Sequence, residues 1–207
     1  MPYRQSAFAP GNIYHLYNRG ANRQPIFFGT DNYEYCLRLV KKYRGEHQVS
    51  IIAYCLMPNH YHFVLRQNGE VPLSGFVQVV FNAYTQAVNR QQNRKGTLFE
   101  GRFKHVHVDD TAYFLHLCRY VHLNPVAAGL VQSPADWLYS NYLEWIGVRK
   151  GSLIDRSIIE ALFPLIDPPE GSKPSGGSVE IEYARFVTEY QADKETQAKL
   201  ARYLFDE

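Results

Sequence analysis

Apolar and polar residues alternate along four short segments of the chain, as they do in half-buried β-strands. These segments are Asn12–Arg19, Val49–Met57, His60–Arg66 and Arg102–Val108. Only Pro58-Asn59 separates the second segment from the third. Because so short a connection cannot join parallel strands, these two are predicted to form an antiparallel hairpin.

Between and after the strands, apolar residues recur at helical spacing. Three helices are predicted: one from the N-cap signal Thr30-Asp31 to Gly45, one over Leu73–Arg94, and one that Asp109-Asp110-Thr111 caps and that runs to about Leu123. The order strand, helix, strand, strand, helix, strand is that of a ferredoxin-like α+β sandwich. We therefore expect an antiparallel sheet of about four to five strands flanked by helices.

The chain changes character after this body. Asp167–Ser178 reads DPPEGSKPSGGS, a composition that cannot bury a core, and it is predicted to be a flexible linker. Beyond it, apolar residues at helical spacing, such as Tyr183 and Val187, predict one or two docking helices. Four parts are therefore expected: a body (1–153), an extension of the body (154–166), the linker (167–178) and an acidic helical tail (179–207).

Charge is distributed unevenly along the chain. Residues 1–153 carry 16 Lys and Arg against 9 Asp and Glu, whereas residues 154–207 carry 6 against 11. A basic body fits a polyanion such as nucleic acid, or it reflects solubility alone. No apolar stretch approaches the roughly 20 residues that cross a bilayer, and no secretory signal is recognised, so no membrane partner is expected. Three cysteines outside any CxxC pair indicate buried thiols in a reducing compartment, hence a cytoplasmic, nucleoid-associated location.

Two His-x-His pairs are candidate metal ligands. Side chains two apart on a strand project from the same face, about 6.6 Å apart along it, so two imidazoles there can share one divalent ion. His60 and His62 stand on the third predicted strand, while Tyr61 between them faces packing. His105 and His107 form an equivalent pair on the fourth strand. Residue spacing alone does not choose between the two pairs.

Tyr120 stands out among the 16 tyrosines because of the residues that follow it. On a helix, Asn124 lies one turn beyond Tyr120 and on the same face, so a phenol nucleophile and a metal-ligating amide can converge on one ion. A second interpretation is also open: Asn124 before Pro125 is the N-cap of a new helix over Val126–Leu130. His122 points to another side of the helix and is expected to pack.

Four segments carry a resemblance: IYHLYNRG (Ile13–Gly20), AYCLMPNHYHFVL (Ala53–Leu65), GTLFEGRFK (Gly96–Lys104) and RYVHLNPVAAGLV (Arg119–Val131). In this order and spacing they resemble the small HUH-endonuclease transposases of the single-tyrosine type, including the REP-associated tyrosine transposases. The resemblance covers roughly residues 11 to 150, most of the predicted body, and leaves the linker and the tail outside it.

The resemblance implies an active site and a reaction. In the family the HUH pair follows a Pro-Asn turn, which corresponds to His60 and His62 and leaves aside the pair on the fourth strand. Tyr120 is then the nucleophile, Asn124 the third metal ligand, and Mg²⁺ or Mn²⁺ the ion. Tyr61, between the two histidines, is bulkier than the family pattern needs. The implied reaction is cleavage and rejoining of single-stranded DNA next to a hairpin through a 5′-phosphotyrosine intermediate, by a monomer or a homodimer.

Aromatic and cationic residues near these segments are candidate DNA contacts, because bases stack on aromatic rings and phosphates attract cations. The candidates are Tyr17, Arg19, Arg102 and Lys104. Two alternatives to the strand transferase stay open at this point. One is a domesticated protein that binds DNA hairpins without cutting them, and the other is a metal phosphodiesterase that uses water while Tyr120 is structural.

Overall fold

The structure is a computed structural model that describes residues 7–154 and 179–188, together with Ser157 and Ala161. The predicted linker over 167–178, most of the predicted extension over 154–166 and the tail beyond residue 188 lie outside the described residues. In the described part of the chain, no helix has the length and apolar character that a membrane span requires.

Four strands form one antiparallel sheet in which the first strand is central. They are β1 (Ile13–Arg19), β2 (Val49–Met57), β3 (His60–Gln67) and β4 (Lys104–Val108), in the spatial order β2-β3-β1-β4. This order confirms the predicted ferredoxin-like α+β fold, and β2 and β3 form the predicted antiparallel hairpin. The fourth strand begins at Lys104, two residues later than predicted, because its pairing with β1 ends where Lys104 lies opposite Tyr17.

Helices cover both faces of this sheet. The long ones are α1 (Thr30–Glu46), α2 (Leu73–Gln91) and α3 (Thr111–Ala127), and shorter ones follow at α4 (Tyr142–Trp145) and α5 (Val179–Thr188). Two single-turn 3₁₀ segments, at residues 21–23 and 134–136, lie in the connections.

The predicted N-cap of the first helix is wrong by one position. Gly29 occupies the N-cap of α1, and Thr30 and Asp31 already lie inside the helix. Asn32 supplies the side-chain bond at this end, since its Oδ1 accepts from the Phe28 amide at 2.9 Å. Phe28 precedes the helix, so this bond ties the incoming segment to the first turn, and Gly29 at the N-cap has no side chain with which to bond the first N–H groups of α1.

The third helix starts as predicted and ends later. Asp110 caps it through a 2.7 Å bond from the Tyr113 amide. It then continues through Pro125 to Ala127, so Asn124 does not open a new helix, and that interpretation is wrong. The proline removes one hydrogen bond of the ladder and crowds the carbonyl four residues before it, and the helix ends two residues after it. Asn124 therefore keeps helical backbone and shares a face with Tyr120.

Alternation along the strands divides the core into two. On one face, Leu16, Tyr61 and Phe63 pack against α1 and α2. On the other face, Val64 and the β2 residues Cys55 and Met57 pack against α3. Because successive side chains on a strand point to opposite faces, His60 and His62 share the α3 face with Val64. The three cysteines, Cys36, Cys55 and Cys118, are buried and free, as predicted.

Candidate active site

The first histidine pair lies on the sheet face that α3 covers. Strand register places His62 between Cys55 of β2 and Tyr17 of β1, and Lys104 of β4 follows Tyr17 in the same row. His60 lies two residues before His62 on β3, opposite Arg19 of β1. The two imidazole rings are 5.1 Å apart between centroids and perpendicular to one another.

Helix α3 brings Tyr120 and Asn124 to this histidine pair within a single chain. The Tyr120 ring lies 5.4 Å from the His62 ring, edge to face. Asn124 Nδ2 donates to the Tyr120 hydroxyl at 2.9 Å, and Asn124 Oδ1 lies 3.0 Å from His60 Nε2. Tyr120 is half-buried and Asn124 is buried. The predicted nucleophile and the three predicted metal ligands are therefore assembled at one place.

The hydrogen bonds of His60 determine which of its nitrogens carries the proton. Asn59 Oδ1 lies 2.7 Å from His60 Nδ1, and Asn59 Nδ2 donates elsewhere, so His60 Nδ1 is the donor. In the neutral imidazole, Nε2 then presents a lone pair towards Asn124 Oδ1, which is also an acceptor. Two acceptors 3.0 Å apart repel unless a proton or a cation lies between them. This is an arrangement that a metal ion satisfies.

A third histidine, His15 on β1, contacts the imidazole of His62. His15 Nε2 lies 2.9 Å from His62 Nδ1, and both side chains are buried. Burial, together with the neighbouring His60 and His15, lowers the pKa of His62 well below its usual value. Burial alone lowers the pKa of His15 to about 3. Both rings are thus neutral at pH 7, the form in which imidazole binds metals.

His15 was not among the predicted site residues, although one signal for it was present. His15 and Tyr17 are two apart on β1 and therefore share a face. The pairing of β1 with β3 is what brings this face next to His62, and that register is a tertiary property.

The second histidine pair lies on the opposite face of the sheet. His105 is buried against Phe8, with ring centroids 4.4 Å apart, and His107 lies 5.3 Å from the Tyr14 ring. Tyr14 belongs to the core beneath α1 and α2. The sheet therefore separates His105 and His107 from Tyr120, which removes the ambiguity that residue spacing left open.

The four candidate DNA-binding residues fall in different surroundings. Arg19 lies beside the site but forms an ion pair with Glu100 at 3.1 Å. Lys104 is exposed on the site face, at the end of the row that contains His62. Tyr17 is only 4% exposed, and its ring stacks on His15 at 4.9 Å, so its position suits support of the histidines. Arg102 lines a separate cavity of about 670 Å³ between α2 and the loop before β4.

A cleft of about 460 Å³ opens beside Tyr120 and His60. Its lining includes two polar residues that were not among the predicted site residues, Arg23 and Asn59. Arg23 is exposed in the turn after β1 and has a positive φ of 58°, and its carbonyl accepts from Asn59 Nδ2 at 3.3 Å. Together with Arg19 it gives the cleft a cationic wall, which suits the backbone of a nucleic acid.

The candidate ligand set is made of two imidazoles and one amide oxygen. No group of three or more His, Cys, Asp or Glu that could hold a metal ion occurs among the residues the structure describes. A set of two histidines and Asn124 nevertheless fits a divalent ion, because nitrogen and amide oxygen both bind such ions and leave positions open for phosphate and water.

His122 packs behind the site. It is fully buried, and burial lowers its pKa to about 4, against the opposing effect of the hydrogen bond that it donates to Asn141 Oδ1. Its ring contacts Tyr183 of α5 and Trp145 of α4, on the side of α3 away from Tyr120. The prediction that His122 packs rather than joins the site agrees with this position.

Comparison with known proteins connects this site to a family. The family described as "Transposase IS200 like" matches residues 10–124, more than half of the 207-residue chain. That match extends from before β1 to Asn124 and includes both histidines of the site and Tyr120. No curated protein matches the chain.

Two solved structures match the chain. One is described as the REP-associated tyrosine transposase bound to a REP hairpin, with a TM-score of 0.61 at 20% identity over 75% of this chain and 98% of that one. The other is a suspected transposase from Deinococcus radiodurans R1, with a TM-score of 0.41 at 11% identity over 61% of this chain and 96% of that one. The first likeness concerns the fold, and the second is too distant to carry an argument. The family match over all four strands and up to the end of the site shows that the chain belongs to the IS200-like transposases.

Proposed function

We propose that this transposase is a metal-dependent tyrosine endonuclease and strand transferase that cleaves and rejoins single-stranded DNA beside a hairpin. One observation carries the proposal. The Tyr120 hydroxyl lies 2.9 Å from the Asn124 amide, whose oxygen lies 3.0 Å from His60 Nε2, all in the same chain. A nucleophile and candidate metal ligands that meet around one point are what attack on a phosphodiester requires.

Tyr120 acts as the nucleophile in this proposal. Its phenolic oxygen attacks a DNA phosphorus, and the bond from that phosphorus to the 3′-oxygen breaks. The phenol loses its proton, and the departing 3′-oxygen gains one. The products are a 5′-phosphotyrosine on Tyr120 and a free 3′-hydroxyl. Because the phosphotyrosine bond conserves the energy of the broken one, a second 3′-hydroxyl can displace Tyr120 and rejoin DNA without ATP.

Three side chains hold the ion in this proposal: His60 through Nε2, His62 through its imidazole, and Asn124 through Oδ1. A bound Mg²⁺ or Mn²⁺ withdraws charge from a phosphate oxygen and so reduces the repulsion between the phosphate and the incoming phenolate. For His62 to offer Nε2, its Nδ1 hydrogen is donated to His15 Nε2, at 2.9 Å. His15 then orients His62 as outer residues orient metal-bound imidazoles.

The substrate follows from the cations around the cleft and from the family. Arg23 lines the cleft beside Tyr120, and Lys104 lies on the same sheet face about 10 Å from His62, two strands away. A strand that passes Tyr120 can thus reach both cations through its phosphates. The solved transposase structure described above is bound to a REP hairpin. By analogy, we assign a DNA hairpin with an adjoining single strand as the partner of this chain. The proposed location is the cytoplasm, where such DNA is found. Tyr120 serves the histidines of its own chain, so a monomer suffices for one cleavage.

The test is a covalent trapping experiment. A hairpin oligonucleotide with a single-stranded flank and a label at its 3′ end is incubated with protein and Mn²⁺, and the products are separated under denaturing conditions. A 5′-phosphotyrosine keeps the 3′-labelled fragment on the protein. The adduct should be lost in Tyr120→Phe and retained in Tyr113→Phe, a matched change two turns earlier on the same helix.

The other outcomes identify the other candidate functions. Tight hairpin binding with no adduct and no cleavage in any metal would select a binding protein. Cleavage without an adduct that persists in Tyr120→Phe and disappears in His62→Ala would select a water-using phosphodiesterase. An adduct that survives Tyr120→Phe would refute Tyr120 as the nucleophile.

A further inference from the structure

Helix α5 packs against the helix that carries Tyr120, although it lies beyond the part of the chain that the family matches. Its inward face is fully buried: Tyr183 is 0% and Val187 1% exposed. The Tyr183 ring lies 4.3 Å from Trp145 of α4, and both belong to the core that α3 shares with the sheet. This degree of burial marks α5 as an integral part of the active-site half of the molecule.

A directed chain of hydrogen bonds joins α5 to α3 and then to the sheet. Asn141 Nδ2 donates to the Ile52 carbonyl at 2.8 Å, and Asn141 Oδ1 accepts from the Tyr54 amide at 2.7 Å, so the orientation of this amide is determined by strand β2. His122 Nε2, 3.0 Å from the same Oδ1, must therefore donate to it. The neutral ring of His122 then accepts at Nδ1, and the Tyr183 hydroxyl, 2.6 Å away, is the donor.

A second contact reaches the residue next to the nucleophile. The Arg119 guanidinium lies over the Phe186 ring of α5 at 4.4 Å from its centroid. Arg119 is 3% exposed and precedes Tyr120 in the chain. Helix α5 therefore contacts α3 at residues 119 and 122. These residues flank Tyr120 in the sequence, and their side chains leave the helix on a different side from Tyr120.

We infer that α5 positions the nucleophile helix for cleavage, and that Tyr183 is a positioning residue that acts through His122. The inference rests on the proposed function of Tyr120. A rotation of α3 by about 10° moves a tyrosine hydroxyl on its surface by about 1 Å. Misplacement by about 1 Å can slow an enzymatic reaction by as much as about a hundredfold. The contacts of His122 and Arg119 with α5 and the sheet oppose such a rotation.

Tyr183→Phe tests this role, because it removes only the hydroxyl and retains the ring that packs on Trp145. The matched control is Ile181→Ala, at a position 53% exposed on the same helix. Adduct formation is measured in a single turnover with saturating hairpin DNA and Mn²⁺, beside the dissociation constant for the hairpin. Amide hydrogen exchange is measured on the same proteins without DNA.

For Tyr183→Phe we expect the rate of adduct formation to fall about tenfold with an unchanged hairpin dissociation constant, since binding does not require the hydroxyl. Exchange should increase in α3 around residues 118–124 and stay unchanged in α1 and α2. Ile181→Ala should match the wild type in all three measurements. An unchanged rate, or a uniform rise in exchange that reflects global destabilisation, would overturn the inference.

Failure of the proposed function would be recognised separately. If the wild-type protein forms no adduct, the function of Tyr120 is refuted, and the exchange measurement still decides the positioning role. Faster exchange confined to α3 in Tyr183→Phe would support a helix held by α5, and equal exchange in Tyr183→Phe and Ile181→Ala would contradict it.

Discussion

Asn124 donates its amide N–H to the phenolic oxygen of Tyr120 at 2.9 Å. The two residues are one helical turn apart on α3, and the turn survives the proline that follows. The bond orients the amide so that its oxygen faces His60. One side chain thereby contacts the proposed nucleophile and points an acceptor at the candidate metal position.

Asn124→Ala should remove both contacts. Loss of a metal ligand and of the partner of the phenol should lower the rate of adduct formation by about 10- to 100-fold, with a higher Mn²⁺ concentration needed for half the maximal rate. Hairpin binding without metal should be unchanged, because the cations of the cleft remain. The measurement is a single-turnover trapping assay across a Mn²⁺ titration.

The matched control for this change is Asn82→Ala, at an exposed position on α2, across the sheet from Tyr120. A wild-type Mn²⁺ dependence in Asn124→Ala would show that the amide is not a ligand.

His15→Gln tests whether the buried histidine beneath His62 orients it. Loss of an outer hydrogen-bond partner typically weakens metal affinity by about 10- to 100-fold. Calorimetric titration with Mn²⁺ should show such a loss in His15→Gln. His107→Gln, on the opposite face of the sheet, should retain the wild-type affinity. Equal effects of the two substitutions would place the metal elsewhere.

Removal of the metal should separate binding from cleavage. With EDTA, hairpin binding should persist and adduct formation should cease, and added Mn²⁺ should restore it. Because an ion that binds only the folded state stabilises it, Mn²⁺ at a hundred times its dissociation constant should raise the free energy of unfolding by about 2.7 kcal/mol. Denaturant titration checks this value.

The stabilisation by Mn²⁺ should disappear when both site histidines are replaced, in His60→Ala/His62→Ala. Stabilisation of the same size in that variant would contradict the assigned site.

Lys104→Gln should weaken DNA binding through the loss of one phosphate contact. The slope of the logarithm of the binding constant against the logarithm of salt concentration should decrease in magnitude by about 0.7 to 0.9, uniformly across DNA sequences. Arg38→Gln, at an exposed position on α1, is the matched control and should not change the slope. A salt dependence of Lys104→Gln equal to that of the wild type would remove Lys104 from the DNA path.

Arg102→Gln gives complementary information, because Arg102 lies at the cavity beside α2 rather than at the cleft. If DNA binding follows the α3 face alone, this substitution should leave the salt slope at the wild-type value. A decrease would mean that the DNA also reaches the cavity beside α2.

The sequence pattern was sufficient wherever a local period determines the geometry. Alternation along β3 predicted that His60 and His62 share a face and that Tyr61 packs on the other side, where its ring stacks on Phe81 at 4.0 Å. Helical spacing likewise predicted that Asn124 lies beside Tyr120. Both are consequences of backbone periods that any chain in these conformations must follow.

Other features depended on which elements become neighbours. Pattern alone could not choose between the two histidine pairs, because both stand on strands with the same alternation. Helix α3 packs on only one face of the sheet, and that choice of face selects His60 and His62. The burial of Tyr17 and the contact of His15 with His62 follow from the register between β1 and β3.

By itself, then, the sequence determined the order of strands and helices, the α+β fold and which candidate residues share a face of a strand or helix, because each depends on residues close in the chain. The tertiary structure alone decided which histidines meet Tyr120, that His15 contacts His62, and that α5 packs on the side of α3 that faces away from Tyr120. Those relationships depend on strand register and on the packing of distant segments, and neither is encoded in local spacing.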